Sequence, residues 1–233
     1  AGATVLTATP SAWTGLLASG ALPPSLRLAI ASGEPLPGQA AASIAAALPG
    51  SAAFLNVYGL TEAAGDSTSA DVRAWLRGAA AAAASSPASS SSSAPVGWPV
   101  AGAVVWVTAQ PADPALPPAA DGQEGVVVIA GPGVAAGYAG GEGGGGSATR
   151  FVDSLAGRAV ITGDLGRLDP ATGALHLSGR ADRVVKGAGG GRVCLDAVEA
   201  AATTSCPGVA AAAAVTLPPA PSLGLAVVGV PCL

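Results

Sequence analysis

No uninterrupted apolar run in this chain approaches the ~20 residues that a membrane-spanning helix needs. The closest, Val209 to Leu217, is about half that length. A membrane span is therefore excluded as an expectation, although half of the residues are apolar. Aromatic side chains are only 3%, charged ones 10%, and methionine is absent. The apolar half is thus largely alanine, which buries little area per residue. Basic charge is scarce as well: the formal net charge is −4, with acids and bases interspersed. That argues against an extended surface for nucleic acid or anionic lipid. Cysteine is limited to Cys194, Cys206 and Cys232, with no CxxC and no Cys/His spacing. A disulfide framework and a zinc site are not expected, and a reducing, cytoplasmic compartment is. A start methionine, a basic n-region and a signal-like apolar segment are missing from the first residues. The chain reads as a piece of something longer. At 233 residues it is long enough to bury a core as one large unit or two small ones.

What is present falls into three stretches. Over residues 1–95 helix and strand alternate. Pro10-Ser11 opens a helical pattern carrying Trp13, Leu16 and Leu17, which Gly20 ends. Leu26 to Ile30 reads as a strand covered on both faces, Ser32-Gly33-Glu34-Pro35 as a turn, and Pro37 to Leu48 as a helix closed by Pro49-Gly50. Ala52 to Leu55 then reads as a buried strand, left at Gly59. This βαβ grammar implies an α/β fold with a parallel sheet. Residues 78–95 are alanine followed by serine and read as a low-complexity surface insertion. Over residues 96–180 the period changes. Ala103 to Val107, Gly125 to Ala130, Arg158 to Thr162 and Ala174 to Leu177 are short strand candidates between Gly, Pro and Asp turns. Their spacing predicts a small antiparallel barrel or sandwich, with Gly140 to Gly146 as a hairpin tip. Residues 181–233 begin a further α+β unit: strand, glycine-rich turn, helix from Leu195 to Ala202, then strands at Ala210 to Val215 and Leu225 to Val230.

The richest polar stretch is Asn56-Val57-Tyr58-Gly59-Leu60-Thr61-Glu62, at the carboxyl end of the Ala52 strand. In open α/β sheets ligands bind outside the carboxyl ends of strands. Tyr58 can lie against a purine, Thr61 can donate to a phosphate oxygen, and Glu62 can hold a hard cation such as Mg²⁺. An ordinary polar loop with Tyr58 as half-buried packing fits the same residues. One βα unit earlier, backbone groups of Gly33, Glu34 and Pro35 would sit at the same sheet edge and could read an adenine edge. Thr162-Gly163-Asp164-Leu165 places a carboxylate at a strand end, suited to two vicinal ribose hydroxyls. Gly179-Arg180-Ala181-Asp182 adds a guanidinium suited to a hydroxyl or phosphate. An Asp-containing hairpin turn and a surface ion pair are the competing readings of Asp164 and Arg180.

Taken in order, these stretches resemble the adenylate-forming (AMP-binding) superfamily of acyl-CoA synthetases, luciferases and peptide-synthetase adenylation domains. The resemblance also rests on Pro95-Val96-Gly97-Trp98-Pro99-Val100, on Gly125 through Gly131-Pro132-Gly133-Val134-Ala135-Ala136-Gly137-Tyr138, and on Arg183-Val184-Val185-Lys186 with Arg192 to Glu199. Within it, Tyr58 to Thr68 is most similar to the β-alanine-activating, aminoadipate-semialdehyde dehydrogenase-like member. The resemblance implies ATP and Mg²⁺ as cofactors, with Gly33, Glu34, Pro35, Tyr58 and Gly59 around the nucleotide. Thr61 would meet the α-phosphate and Glu62 the metal, making these two the catalytic pair. Asp164 would hold the ribose, Arg180 ribose or phosphate, and Asp182 would be the hinge of a small C-terminal domain. A carboxylate would attack the α-phosphorus of ATP, expel pyrophosphate, and pass to a thiol of coenzyme A or of a phosphopantetheine carrier domain. Val57 and Asp66 are the pocket candidates. Asp66, one helical turn beyond Glu62, could pair with the ammonium of a small amino-acid substrate, or be a capping or solvent-facing aspartate.

Two departures from the family pattern stand out. Lys186 to Arg192 is longer and richer in glycine than usual, and Cys194 stands where an acid is common. The family's Ser/Thr/Gly-rich phosphate loop and its C-terminal lysine have no counterpart in these residues, so the chain alone is expected to be nearly inactive. The alternative is a non-catalytic nucleotide-binding or interaction module that keeps the fold.

Overall fold

The computed structural model describes residues 2–20, 22–85, 93–113, 115–139, 149–186, 192–206, 209–217 and 222–229. The glycine-rich tip at 140–146, the turn at 187–191, most of the serine tract and Cys232 lie outside them.

The first sheet runs β1 (Val5–Ala8), β2 (Leu28–Ala31), β3 (Ala53–Leu60), β4 (Gly65–Asp71) and β5 (Trp98–Pro99), in that spatial order. β1, β2 and β3 are parallel, as the βαβ pattern predicts; β4 and β5 add on antiparallel, so the sheet is mixed rather than parallel. Helix α1 (Pro10–Ser19) connects β1 to β2, and α2 (Gly38–Ala47) connects β2 to β3. α1 starts with Thr9 accepting from the Ala12 amide and proline at its first position, and stops at Gly20 in the left-handed region (φ 66°). Helix α3 (Val72–Ser85) follows β4 and takes up the beginning of the stretch expected as a loose insertion.

The helices cover the sheet through one core of Trp13, Leu26, Ala29, Ile44, Phe54 and Val72 with small alanines between. Trp13 and Phe54 meet edge to face at 6.3 Å, and the Trp13 indole donates to Ile30 O at 2.9 Å. With so few aromatics, this pair supplies much of the burial that alanine cannot. Phe54 and Tyr58 have the same pleat parity. Phe54 belongs to the helix-packed core, whereas Tyr58 packs against the core of the second sheet. β3 thus carries its carboxyl end from one packing layer into the next.

The second sheet has the path β10–β9–β7–β6, formed by β6 (Val104–Thr108), β7 (Gly125–Ala130), β9 (Gly157–Leu168) and β10 (Leu175–Arg180). β8 (Arg150–Ser154) pairs with β9 off that path. β7 is buried at every residue, because Val127 and Ile129 enter one core while Val126, Val128 and Ala130 enter another. That is why its sequence reads as an unbroken apolar run. Among the described residues no pairing joins β10 to β6, so this is an open antiparallel sheet; of the barrel or sandwich that the spacing predicts, the closed barrel is not formed. One face packs against the first sheet through Val127 and Ile129, and the other is covered by Leu116, Ala181 and Val184, so both faces are satisfied without closure.

The remaining elements are the β11 (Val184–Lys186) and β12 (Arg192–Cys194) hairpin, helix α4 (Leu195–Ser205), and the antiparallel pair β13 (Val209–Leu217) and β14 (Ser222–Gly229). Among the described residues no helix is long and apolar enough to cross a membrane.

Candidate functional site

β3 continues to Leu60, so Asn56 to Leu60 are strand and only Thr61–Ala63 turn, as a single 3₁₀ turn. This corrects the reading of Gly59 as the strand exit. Gly59 instead sits at a register shift where β3 meets β4. A Cβ there would stand 1.7 Å from Gly65 O, so only glycine admits the close approach. Ala64 (φ 59°) and Gly65 (φ 103°) end the turn in left-handed conformations and send the chain back as β4. Asp66 therefore lies exposed on a strand opposite Gly59, not one helical turn beyond Glu62. Val57 is buried in β3.

β2 ends at Ala31 opposite Asn56, so the Gly33–Glu34–Pro35 bend leaves the sheet beside Tyr58, which stays in β3 paired with Thr68 of β4, two residues beyond the last β2–β3 pair. Gly33 has φ 85°, and all three bend residues are exposed. The Glu34 carboxylate is engaged: it accepts from the Ser11 amide at 3.0 Å and the Ser11 hydroxyl at 2.8 Å, capping α1. Partial burial pushes its acidity the other way, but the Ser11 bonds prevail and hold the carboxyl below its ordinary value. The Glu34 carboxylate is thus spent on α1, and the bend offers a ligand its backbone and the exposed Pro35 ring.

Asp164 is not at a strand end. It lies within the long strand β9, at a bulge where Thr162 to Asp164 face Val127 alone. The bulge is held from within: Thr162 Oγ1 donates to Val127 O and accepts from the Asp164 amide, both at 3.0 Å, and Gly163 takes φ 76°. The kink aims Asp164 at the first sheet. There Tyr58 Oη donates to Asp164 Oδ2 at 2.6 Å, joining residues 106 positions apart. Arg180, directly across from Asp164 on β10, donates to Oδ1 at 3.1 Å. Its remaining nitrogens grip Asp182 at 3.0 and 3.2 Å. Tyr58, Asp164, Arg180 and Asp182 thus form one continuous polar chain bridging the two sheets and the start of the C-terminal unit.

Burial is the main influence on the buried end of this chain. It pushes the Asp164 carboxyl up, against the pull of Tyr58 and Arg180, and it pushes the Tyr58 phenol up together with the Asp164 charge. Tyr58 is therefore a donor at any working pH. Arg180 is held above its usual value, chiefly by Asp182.

Thr61 is exposed on the turn and Glu62 half-buried. Glu62 has a partner that the motif reading left out of the site: Tyr138 Oη donates to its Oε1 at 2.6 Å. That bond is the chief reason the Tyr138 phenol is pushed up. The available signal was that Tyr138 ends the glycine-rich motif after β7 and is one of only two tyrosines. Among the described residues no group of three or more His, Cys, Asp or Glu side chains could hold a metal. A lone carboxylate does fit Mg²⁺ arriving with a nucleotide, because that ion keeps waters and phosphate oxygens as its other ligands. A cleft of about 470 Å³ lies beyond Tyr138, lined also by Thr149, Arg150, Phe151 and Arg158, and none of the expected nucleotide residues line it.

Comparison with known proteins follows the same lines. A family described as AMP-binding enzyme matches residues 1–139, more than half of the chain. No curated protein matches. Among solved structures, O-succinylbenzoate coenzyme A synthetase from Bacillus subtilis in complex with AMP superposes with a TM-score of 0.74 at 18% identity, over 99% of this chain and 42% of that one. NpsA from Klebsiella oxytoca, in complex with 3-hydroxyanthranilyl-AMSN, gives 0.72 at 20% identity over 99% and 44%. ATP-bound MatB from Rhodopseudomonas palustris gives 0.67 at 27% identity over 97% and 40%. The chain spans less than half the length of these structures. A site built at the carboxyl ends of β2 and β3 and bridged to a second sheet by Tyr58, together with the family match, leads to one conclusion: this chain belongs to the AMP-binding enzyme family.

Proposed function

We propose that this chain is the nucleotide-holding part of an ATP-dependent ligase. The whole protein would activate a carboxylate as its acyl-adenylate and then transfer the acyl group to a thiol. The observation that supports this reading best is the polar chain from Tyr58 through Asp164 to Arg180 and Asp182, at the sheet edge where Gly33 to Pro35 also end.

In this reading the backbone of Gly33, Glu34 and Pro35 reads the adenine edge, and Tyr58 and Gly59 form the floor beneath the base. With its hydroxyl spent on Asp164, Tyr58 offers only its ring. Asp164 accepts from the ribose hydroxyls, while Arg180 keeps its charge neutralised. Thr61 donates to the α-phosphate, and Glu62 holds the Mg²⁺ that neutralises phosphate charge. A substrate carboxylate oxygen attacks the α-phosphorus, the bond to the bridging oxygen breaks, and pyrophosphate leaves with its electron pair. The chain's share of catalysis is alignment and charge compensation as the transition state forms. Asp182, gripped by Arg180, is the proposed hinge, and residues 1–95, 96–180 and 181–233 are the proposed units. A small amino acid such as β-alanine is the proposed substrate, with Val57 and Asp66 near its pocket. Coenzyme A or a phosphopantetheine carrier is the proposed thiol. Residues 1–233 hold no phosphate loop of the family type, so the chain alone is proposed to bind nucleotide with little turnover.

Carboxylate-dependent ATP–pyrophosphate exchange by the whole protein is the test. Glu62→Gln and Asp164→Ala should each lower exchange about a hundredfold. Exchange unchanged in both variants would sink the reading. Nucleotide binding without exchange for any small carboxylate would favour a module that has kept the fold and lost the chemistry.

A further inference from the structure

The loop that follows β7 lies against the Thr61–Ala64 turn and holds Glu62 twice. Its Ala135 amide donates to Glu62 O at 2.8 Å, fixing the backbone. Its Tyr138 hydroxyl donates to Glu62 Oε1 at 2.6 Å, fixing the side chain. Just before them Gly133 packs so closely that a Cβ would sit 3.0 Å from Ala63 O. Tyr138 is itself held, its ring edge-on to Phe151 of β8 at 5.2 Å. A glutamate on a short turn has three free torsions. Here one carboxylate oxygen is pinned by a donor from the loop after β7, and among the described residues the other carries no such bond. Carboxylates that ligate hard cations are characteristically oriented by a hydrogen bond of this kind.

We propose that Tyr138 is a positioning residue for Glu62: its hydroxyl holds Oε1 so that Oε2 is presented to the divalent cation of a metal–nucleotide substrate. The proposal rests on the reading of Glu62 as the metal carboxylate. It assigns a function to the loop after β7, which the nucleotide itself need not touch. It also makes the metal site depend on the packing of the second sheet against the first.

Mn²⁺ serves as the probe, its free concentration followed by electron paramagnetic resonance while it is titrated into the protein with a non-hydrolysable ATP analogue. Tyr138→Phe keeps the ring on Phe151 and removes only the hydroxyl. It should weaken Mn²⁺ binding about tenfold, with the thermal midpoint and the metal-free affinity for the analogue unchanged. Glu62→Gln should weaken Mn²⁺ binding further, and adding Tyr138→Phe to it should change nothing more. If Glu62→Gln weakens Mn²⁺ binding while Tyr138→Phe does not, or if Tyr138→Phe acts equally in the Glu62→Gln background, the role of Tyr138 is overturned and that of Glu62 stands. If neither variant changes Mn²⁺ binding, both assignments fall together.

Discussion

Tyr58, Asp164 and Arg180 were each legible in the sequence as isolated polar residues in glycine-flanked turns. Their mutual bonds were not, because nothing in a one-dimensional pattern couples positions 106 residues apart. The burial of Asp164 at this junction has a pH signature, opposed by its bonds to Tyr58 and Arg180. Burial pushes the folded Asp164 carboxyl above its ordinary 3.8, so the folded state binds this proton more tightly than the unfolded chain does. The contribution to stability is complete below the ordinary value and is lost as pH rises through the folded one. Stability should therefore decline with rising pH across that window, and Asp164→Asn should flatten the decline. Urea midpoints of both proteins, taken through the acid range up to neutrality, check this. A wild-type slope that survives in Asp164→Asn would assign it to another group.

At the scale of elements, apolar runs located most strands and helices to within a few residues. They passed over the short strands β1 and β8, and otherwise what they missed was polar or irregular. β4, Gly65-Asp66-Ser67-Thr68-Ser69-Ala70-Asp71, has no apolar signal of its own; it is a strand because β3 and β5 pair with it on either side. The bulges at Gly59 and at Thr162–Asp164 were equally invisible, since an extra residue in a ladder is defined only against its partner strand. Yet these irregularities aim the site. Gly59→Ala would drive a methyl group into the Gly65 carbonyl. We expect it to cost about 3 kcal/mol, measured by denaturant unfolding, and to weaken nucleotide binding through the displaced Tyr58. Gly20→Ala at the end of α1, where nothing lies within 4 Å, is the control: it meets left-handed strain alone and should cost less.

Across the whole molecule, the C-terminal unit is joined to the second sheet where the Arg180 amide of β10 donates to Asp196 Oδ2 at 3.2 Å, and it is held together within itself by charge. Arg183 donates to Asp196 and to Glu199 of α4, and Glu199 in turn accepts from the Ala214 amide of β13 at 2.8 Å. Arg183→Ala should make local opening of this unit easier by about 1 kcal/mol, given how exposed the pairs are. Hydrogen exchange should quicken over 192–217 and stay unchanged over 28–71. Uniform quickening would mean that the unit and the first sheet open together. The motifs, taken in order, were enough for the resemblance to the family, because each is a run of consecutive residue identities; the periods of strands and helices, local in the same way, gave only the elements. Closure was a different matter. Whether the second sheet would be a barrel or an open layer, which partner Asp164 would meet, and that Glu62 would be held by Tyr138 all depend on how two sheets pack. That packing is decided by apolar faces and bulges far apart in sequence, and it exists only once the chain has folded.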